Sequence, residues 1–425
     1  MIKVDPASGA QQVVASGPPL ADPTGIAVDI RAFPGHDTLL VADPEALGGS
    51  GALFRVDPAN GSIQTISSGD RFVDPTGVTG FLVVADPNGT PANPDLGDGD
   101  VIVVRANTGT QISLFSGPFF LTPNLDLVDP SGIYEGPSGG LFIADPEASE
   151  GGAGAIFVIG APVRSLGSSF SLVSQGGNLV DPTGIVSVPS GVAGHGFLAV
   201  ADRSAAGSGA VVTLTGQGGQ VAQAVLSNGG SFASPSAIAY SPFSGDPLLV
   251  ADRAASGGGG ALIGVGAGGA QHVISSGDSF AEPAGVTVSP PLCEDERADV
   301  VGSEAADDIL ASTFSNVIAG LGGNDTIDAA ESDDLVCGGD GDDRLRGDSG
   351  DPLLFGPDIL LGEEGNDDLK GNGLPDRLDG GPGNDILRGK NGGKDRLDCG
   401  PGRDKAKVDR KDRVRGCERV KVSKK

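Results

Sequence analysis

Between Gly302 and Leu397 the chain repeats a pattern every nine residues, and nothing else in it restricts folding as strongly. Counted from Gly302, an acidic or amide residue holds the sixth place of each unit and an aliphatic one the eighth. The sixth place reads Asp307, Asn316, Asp325, Asp334 and Asp343; the eighth reads Ile309, Ile318, Ile327, Val336 and Leu345. Gly347 to Pro352 interrupt the register. It resumes with Asp358, Asp367, Asp376 and Asp385 beside Leu360, Leu369, Leu378 and Leu387, and one further residue precedes Asp395 and Leu397. A period held in phase this long implies stacked short units, none of which buries a core alone.

GGDGDDRLR (Gly338 to Arg346), GEEGNDDLK (Gly362 to Lys370) and GGPGNDILR (Gly380 to Arg388) follow G-G-x-G-x-D-x-U-x, with one Glu in the second place. Here the segment resembles the hemolysin-type, or RTX, calcium-binding repeats. The resemblance implies a parallel β-roll in which part of each unit forms a turn, the rest a short strand, and two units complete one coil. It also implies Ca²⁺ held between units n and n+2 by sixth-place Asp and turn carbonyls. The ligand residues it points to are Asp325, Asp334, Asp343, Asp358, Asp367, Asp376, Asp385 and Asp395, with turn glycines Gly338, Gly341, Gly362, Gly365, Gly380 and Gly383. The best sites pair Asp325 with Asp343 and Asp367 with Asp385. Asp307 and Asp404, at the ends of the array, are secondary candidates.

The chemistry of the residues agrees. Ca²⁺ takes six to eight oxygen ligands, so a turn must expose several carbonyls inward, which glycine permits through positive φ. The single aliphatic residue per unit contributes roughly 1.5 to 3 kcal/mol when buried, against an ordering cost of about 1 to 2 kcal/mol for each of nine residues. From Pro291 to Gly402 there are 27 acidic and 9 basic residues. This segment is therefore expected to be largely unfolded without calcium and to fold on binding it, with affinity of about 10⁻⁴ to 10⁻³ M. An acidic disordered tail would not need an aliphatic residue in phase.

The repeats degenerate at their start: GSEAADDIL and ASTFSNVIA have lost most glycines, Asn316 stands for Asp, and Leu374 replaces a fourth-place Gly. Beyond Asp404 the chain turns basic, with 11 Arg and Lys against 4 acidic residues from Arg403 to Lys425, a charge suited to capping an acidic roll. It departs from the uncleaved C-terminal export signal of many RTX proteins. Cys293, Cys337, Cys399 and Cys417 all lie in this last third and are expected to form disulfides in an oxidising compartment. Four cysteines allow three pairings; the favoured one joins Cys293 to Cys337 and Cys399 to Cys417.

Upstream, a second repeat runs with a longer period. DPTGI-like tokens begin at Asp22, Asp74, Asp129, Asp181, Ser234 and Glu282, about 50 residues apart. Each is followed by an apolar run ending in Ala-Asp (Asp43, Asp86, Asp145, Asp202, Asp252) and then by two further short apolar runs bounded by Gly, Pro, Asp and Ser. Four strands per unit is the pattern of a β-propeller blade, and the copies predict six blades. The chain enters on the third strand of the closing blade and leaves on its first, so only the second strand of that blade is missing. By repeat order that strand would precede Met1, together with a signal peptide. The fold expected is thus all-β: a six-bladed β-propeller over residues 1–290 followed by a parallel β-roll over 291–425. The propeller half resembles NHL-like and SMP-30-like propellers, in which an Asp after the second strand caps the next turn. One loop differs from its counterparts: NPDLGDGD places Asp95, Asp98 and Asp100 close together, a candidate local Ca²⁺ site.

The net charge of -28 disfavours nucleic acid and anionic membranes, and no run of apolar residues is long enough to span a bilayer. GPSGG (Gly136 to Gly140) fits the nucleophile pattern G-x-S-x-G but reads as a turn, and GVGAGG (Gly264 to Gly269) lacks any βαβ context. Two functions remain. One is a non-enzymatic secreted, extracellular or cell-surface protein, whose propeller binds a glycan, protein or cell-wall ligand and whose roll folds on Ca²⁺. The other is a secreted propeller hydrolase or lactonase with a metal in its channel, which requires convergent ligands from different blades that the repeats do not display.

Overall fold

The structure is a computed structural model that describes residues 1–425 except 6–7, 30–37, 89–98, 106, 117–126, 137–139, 149–152, 161–169, 190–197, 217–220, 243–245, 278–279, 314, 350–355, 390–392 and 424–425. The chain divides into two units, one drawn from residues up to Ser289 and the other mostly from Pro290 to Lys425. Among the described residues no helix is long and apolar enough to cross a membrane.

The first unit is a β-propeller of five complete blades, each a four-stranded antiparallel sheet in sequence order. The fourth blade, for example, comprises Pro182–Ser187, Leu198–Asp202, Ala210–Thr215 and Ala222–Asn228. Second strands such as Leu198–Asp202 and Leu248–Asp252 are buried throughout, because both faces of each sheet are covered by neighbouring blades. Between third and fourth strands a bulge recurs at one place, as at Leu53/Phe54, Val211/Val212 and Leu262/Ile263, and adds local twist.

The recurring token has a physical purpose. Its hydroxyl donates to the carbonyl oxygen of the proline in the next token: Thr24 to Pro75, Thr76 to Pro130, Ser131 to Pro182, Thr183 to Pro235 and Ser236 to Pro283, at 2.7–3.1 Å. The Ala-Asp carboxylates are fully buried and clamp the turn entering their own blade. Asp202 accepts the N–H groups of Val180 and Asp181, and then those of Ser204 and Ala205. Asp43, Asp86, Asp145 and Asp252 repeat the arrangement.

The expected sixth blade is not complete. In its place stands a two-stranded sheet, β1 (Ile2–Val4) with β2 (Gln11–Val13), while residues 283–289 form no described ladder. Without a second strand, first- and third-strand positions lie two strand spacings apart, roughly 9.6 Å, beyond hydrogen-bond reach.

The second unit is a parallel β-roll of two seven-stranded sheets. Each strand pairs with the one two units later: Arg344 lies opposite Thr326 and Ile386 opposite Asp368. Across the interruption the pairing joins Arg344 to Asp368, and across the later inserted residue Arg377 to Arg396, so both sheets keep their register. Eighth-place side chains from Ile309 to Leu397 form one continuous buried core. Disulfides join Cys293 to Cys337 and Cys399 to Cys417.

Candidate metal centre

The roll turns the sixth-place residues into two ladders. In one, the backbone N–H of each residue donates to Oδ1 of the Asp on the next coil: Asp307 to Asp325, Asp325 to Asp343, Asp343 to Asp367, Asp367 to Asp385 and Asp385 to Asp404, at 2.8–2.9 Å. In the other the order is Asn316, Asp334, Asp358, Asp376, Asp395 and Asp412, at 2.8–3.2 Å. The pairs singled out in the sequence, Asp325 with Asp343 and Asp367 with Asp385, are adjacent rungs.

One oxygen of each carboxylate is thus engaged, and the other is not. Oδ2 of Asp325, Asp334, Asp343, Asp358, Asp367, Asp376, Asp385 and Asp395 is buried without a hydrogen-bond partner, and so is that of Asp348 and Asp404. Burial pushes the carboxyls up, to about 9 for Asp334, about 8 for Asp358 and Asp376, about 7 for Asp325 and Asp367, and about 6 for Asp343, Asp385 and Asp395. The Oδ1 hydrogen bonds oppose that rise, and neighbouring carboxylates add to it. Buried anionic oxygens with no donor are the setting that a hard cation would relieve.

The first-place glycines shape this setting. A Cβ added to Gly380 would lie 2.5 Å from Oδ2 of Asp385 and 2.8 Å from the carbonyl oxygen of Cys399. At Gly320, Gly338 and Gly362 it would likewise meet the unit's own Asp and the first-place carbonyl of the next coil. The absent side chain leaves a cradle bounded by a carboxylate and a carbonyl. Fourth-place Gly341, Gly365 and Gly383 have φ of +136°, +149° and +159° and stack so closely that any Cβ would strike the carbonyl oxygen one coil before. Among the described residues no three acidic, histidine or cysteine side chains converge on a point, so carbonyls would have to complete a coordination shell.

The structure also refines the candidates. Asp307 is on the ladder, but its Oδ2 already accepts from the N–H and hydroxyl of Ser303. Asn316 accepts likewise from Ser312. The interruption falls after Gly347, which keeps the first-place position against Asp358. Asp348, unremarked in the sequence, is buried within that interruption, with its carboxyl pushed by burial to about 6. Its only sequence signal is an acidic residue next to the displaced first-place glycine. Glu418 and Asp412 end the ladders by accepting from Asp404 and Asp395, which makes the basic segment the last coil of the roll.

In the propeller, Asp95 and Asp98 lie outside the described residues. Asp100 starts a third strand, accepts from the Ser113 hydroxyl and is pushed by burial to about 7. Gly136 donates to Gly140, the three residues between them lying outside the described residues, and Gly264–Gly269 run from a third strand into its turn.

The family model described as RTX calcium-binding nonapeptide repeat (4 copies) matches residues 301–336, 329–354, 354–374, 361–393 and 371–405. A comparison with curated proteins finds no match. Among solved structures, similar chains include a gluconolactonase from Xanthomonas campestris (12% identity, 60% of this chain and 76% of that one, TM-score 0.43). Others are a chain of a nidogen/laminin complex (16% identity, 65% and 88%, TM-score 0.42) and a putative 6-phosphogluconolactonase from Bacteroides uniformis (16% identity, 67% and 79%, TM-score 0.42). Likenesses this faint carry no statement of function. The C-terminal segment, with its in-register carboxylate ladders, is a stack of RTX calcium-binding nonapeptide repeats.

Proposed function

We propose that the protein is a secreted, non-enzymatic calcium-binding scaffold whose roll folds on Ca²⁺ and whose propeller presents loops to an extracellular glycan, protein or cell-wall ligand. The observation that carries this reading is the row of nine buried Oδ2 atoms without donors on sixth-place aspartates, from Asp325 to Asp404. Bound Ca²⁺ supplies the positive charge those oxygens lack. Asp325, Asp334, Asp343, Asp358, Asp367, Asp376, Asp385 and Asp395 hold it through Oδ2 while Oδ1 keeps the coil spacing. Gly338, Gly362 and Gly380 leave room for it, and Gly341, Gly365 and Gly383 let successive turns approach. Two disulfides within the roll support an oxidising compartment.

The test is a Ca²⁺ titration of the full chain, oxidised, followed by far-UV circular dichroism and calorimetry. The expected result is a cooperative gain of β structure at sub-millimolar to millimolar Ca²⁺ that Mg²⁺ does not produce, since Mg²⁺ demands stricter geometry and gives up water reluctantly. A signal that Ca²⁺ leaves unchanged would refute it.

A further inference from the structure

On a chain whose net charge is -28, one face of the roll is cationic. In the sheet that runs from Asp308–Leu310 to Arg419–Val422, the eighth-place side chains from Ile309 to Ala406 are buried in the roll, so the seventh- and ninth-place residues beside them point outward. From the third strand onward the ninth place reads Arg346, Lys370, Arg388, Lys407 and Lys421, each directly opposite the next in the parallel register. The seventh place reads Arg344, Asp368, Ile386, Lys405 and Arg419. Asp368 is the one acid in these positions and pairs with Arg388, while Arg346 reaches back to Asp328 at 3.5 Å. Lys370, Lys405, Lys407, Arg419 and Lys421 are exposed and, among the described residues, make no ion pair. The basic end of the chain thus faces solvent from the sheet and is not turned toward the carboxylate ladders.

The opposite sheet provides the contrast. There Arg377 lies 2.8 Å from Glu294 and 3.7 Å from Asp379, and Arg415 lies 3.6 Å from Asp398, so outward cations meet carboxylates of their own sheet or its cover. Like charges directly opposite one another destabilise a sheet, and the ninth-place column repeats that arrangement at every step. An anion laid along the column removes the repulsion. The strip is narrow: strands of three or four residues make it roughly 10 Å wide, and five cations at about 4.8 Å per strand span about 19 Å along the roll axis. Exposed Asp342 and Asp333 sit in the turns on its two sides. A cationic strip between acidic turns accepts a linear chain of anions and repels an anionic plane such as a membrane surface. It carries no aromatic side chain on which nucleobases could stack.

We infer that this face of the roll binds a linear anionic polysaccharide, extended along the roll axis, whose carboxylate or sulfate groups meet the cations of successive coils. One ninth-place cation per coil suits a polymer that bears its charge at regular intervals along an extended chain, and the seventh-place Arg344, Lys405 and Arg419 widen the contact to one side. The inference rests on the roll fold and not on any ligand of the propeller; calcium enters only as what sustains that fold.

The test uses the full oxidised chain in about 5 mM Ca²⁺ and fluorescent oligosaccharides read by anisotropy: oligogalacturonate for carboxylate, sulfated dextran for sulfate and neutral dextran as the uncharged control. Single-stranded oligothymidylate and anionic phospholipid vesicles are run alongside. Expected is saturable binding of an anionic oligosaccharide that weakens steeply with salt, the two charged probes telling carboxylate from sulfate recognition. Lys407→Gln combined with Lys421→Gln should weaken it roughly tenfold or more, while Arg396→Gln combined with Arg413→Gln, on the opposite sheet, leaves it unchanged. Lys370→Gln repeats the test at mid-column, away from the last coil, and melting of each calcium-loaded variant separates loss of the face from loss of the fold. No saturable binding, equal weakening by the two double variants, equal binding of neutral dextran, or tighter binding of oligothymidylate or vesicles would each overturn the inference. Binding that persists in chelator on a folded roll would overturn the calcium reading and uphold this one.

Discussion

Raising the pH should unfold the calcium-free roll and tighten the calcium-loaded one. Between about pH 4 and 7 the folded roll holds protons on aspartates whose pKa burial has raised, while the unfolded chain, with Asp near 3.9, has released them. The folded state then binds more protons, so stability is greatest below the unfolded pKa and is lost as pH rises through the folded values of about 6 to 9. At about 1.4 kcal/mol per pH unit, a carboxyl held at about 7 or above, such as Asp325 or Asp367, costs the metal-free fold on the order of 4 kcal/mol at pH 7. One held at about 6, such as Asp385, costs on the order of 3 kcal/mol. Several such groups together offset much of the 5–15 kcal/mol that a whole domain commonly has, so the metal-free roll is expected to lose its fold as the pH approaches neutral. Calcium takes the ionised form and releases the protons, which reverses the slope. Calorimetry of the full chain, dialysed metal-free or in about 5 mM Ca²⁺, should show the calcium-sensitive transition falling from pH 4.5 to 7.5 without calcium and rising with it. A metal-free transition that holds or rises over that range would refute the burial argument.

Gly365→Ala places a Cβ against the Gly341 carbonyl at φ +149° and should raise the calcium midpoint of folding at least severalfold, read by circular dichroism. Leu369→Ala empties part of the fully buried core and should cost about 2–5 kcal/mol, seen as a lower melting temperature of the calcium-loaded roll. Replacing Cys399 and Cys417 together by Ser removes a bridge of sequence separation 18 and should cost about 3 kcal/mol, with hydrogen-exchange protection lost first over Lys405–Val408 and Arg419–Val422. Asp202→Asn turns an acceptor of four backbone N–H groups into a half-donor and should lower the propeller transition by about 2–4 kcal/mol.

The nine-residue period was legible because each unit has one side chain that must go inside and one carboxylate that must face its copy a coil away. Leu345, Leu369 and Leu387 fall in line for that reason. Residues off the register were not legible: Asp348 is carried in by the interruption, and Glu418 reaches Asp404 only because the last coil is shorter. Blade count failed for a different reason. Counting tokens counts positions around the ring, but a strand exists only where a partner lies one spacing away, and residues 283–289 have none.

Both halves bury rows of aspartates, and what separates the structural carboxylates from the proposed metal ligands is how their oxygens are used. Asp202 and Asp252 spend both oxygens on backbone N–H groups of their own blade, which closes them to any ion. Asp367 and Asp376 spend one oxygen on the rung before and keep the other beside a glycine that has no side chain to fill the space. Asp307 shows the transition between the two, since a serine in the second place supplies the hydroxyl and N–H that its Oδ2 would otherwise lack. An Asp-rich repeat is therefore a metal centre to the extent that its turns withhold donors. In this chain glycine at the first place and the absence of a second-place hydroxyl do the withholding. Ser303→Ala should accordingly withdraw the hydroxyl from Oδ2 of Asp307 and raise the number of calcium ions bound without unfolding the roll. Isothermal titration against the parent would show an unchanged count if donor supply does not govern occupancy.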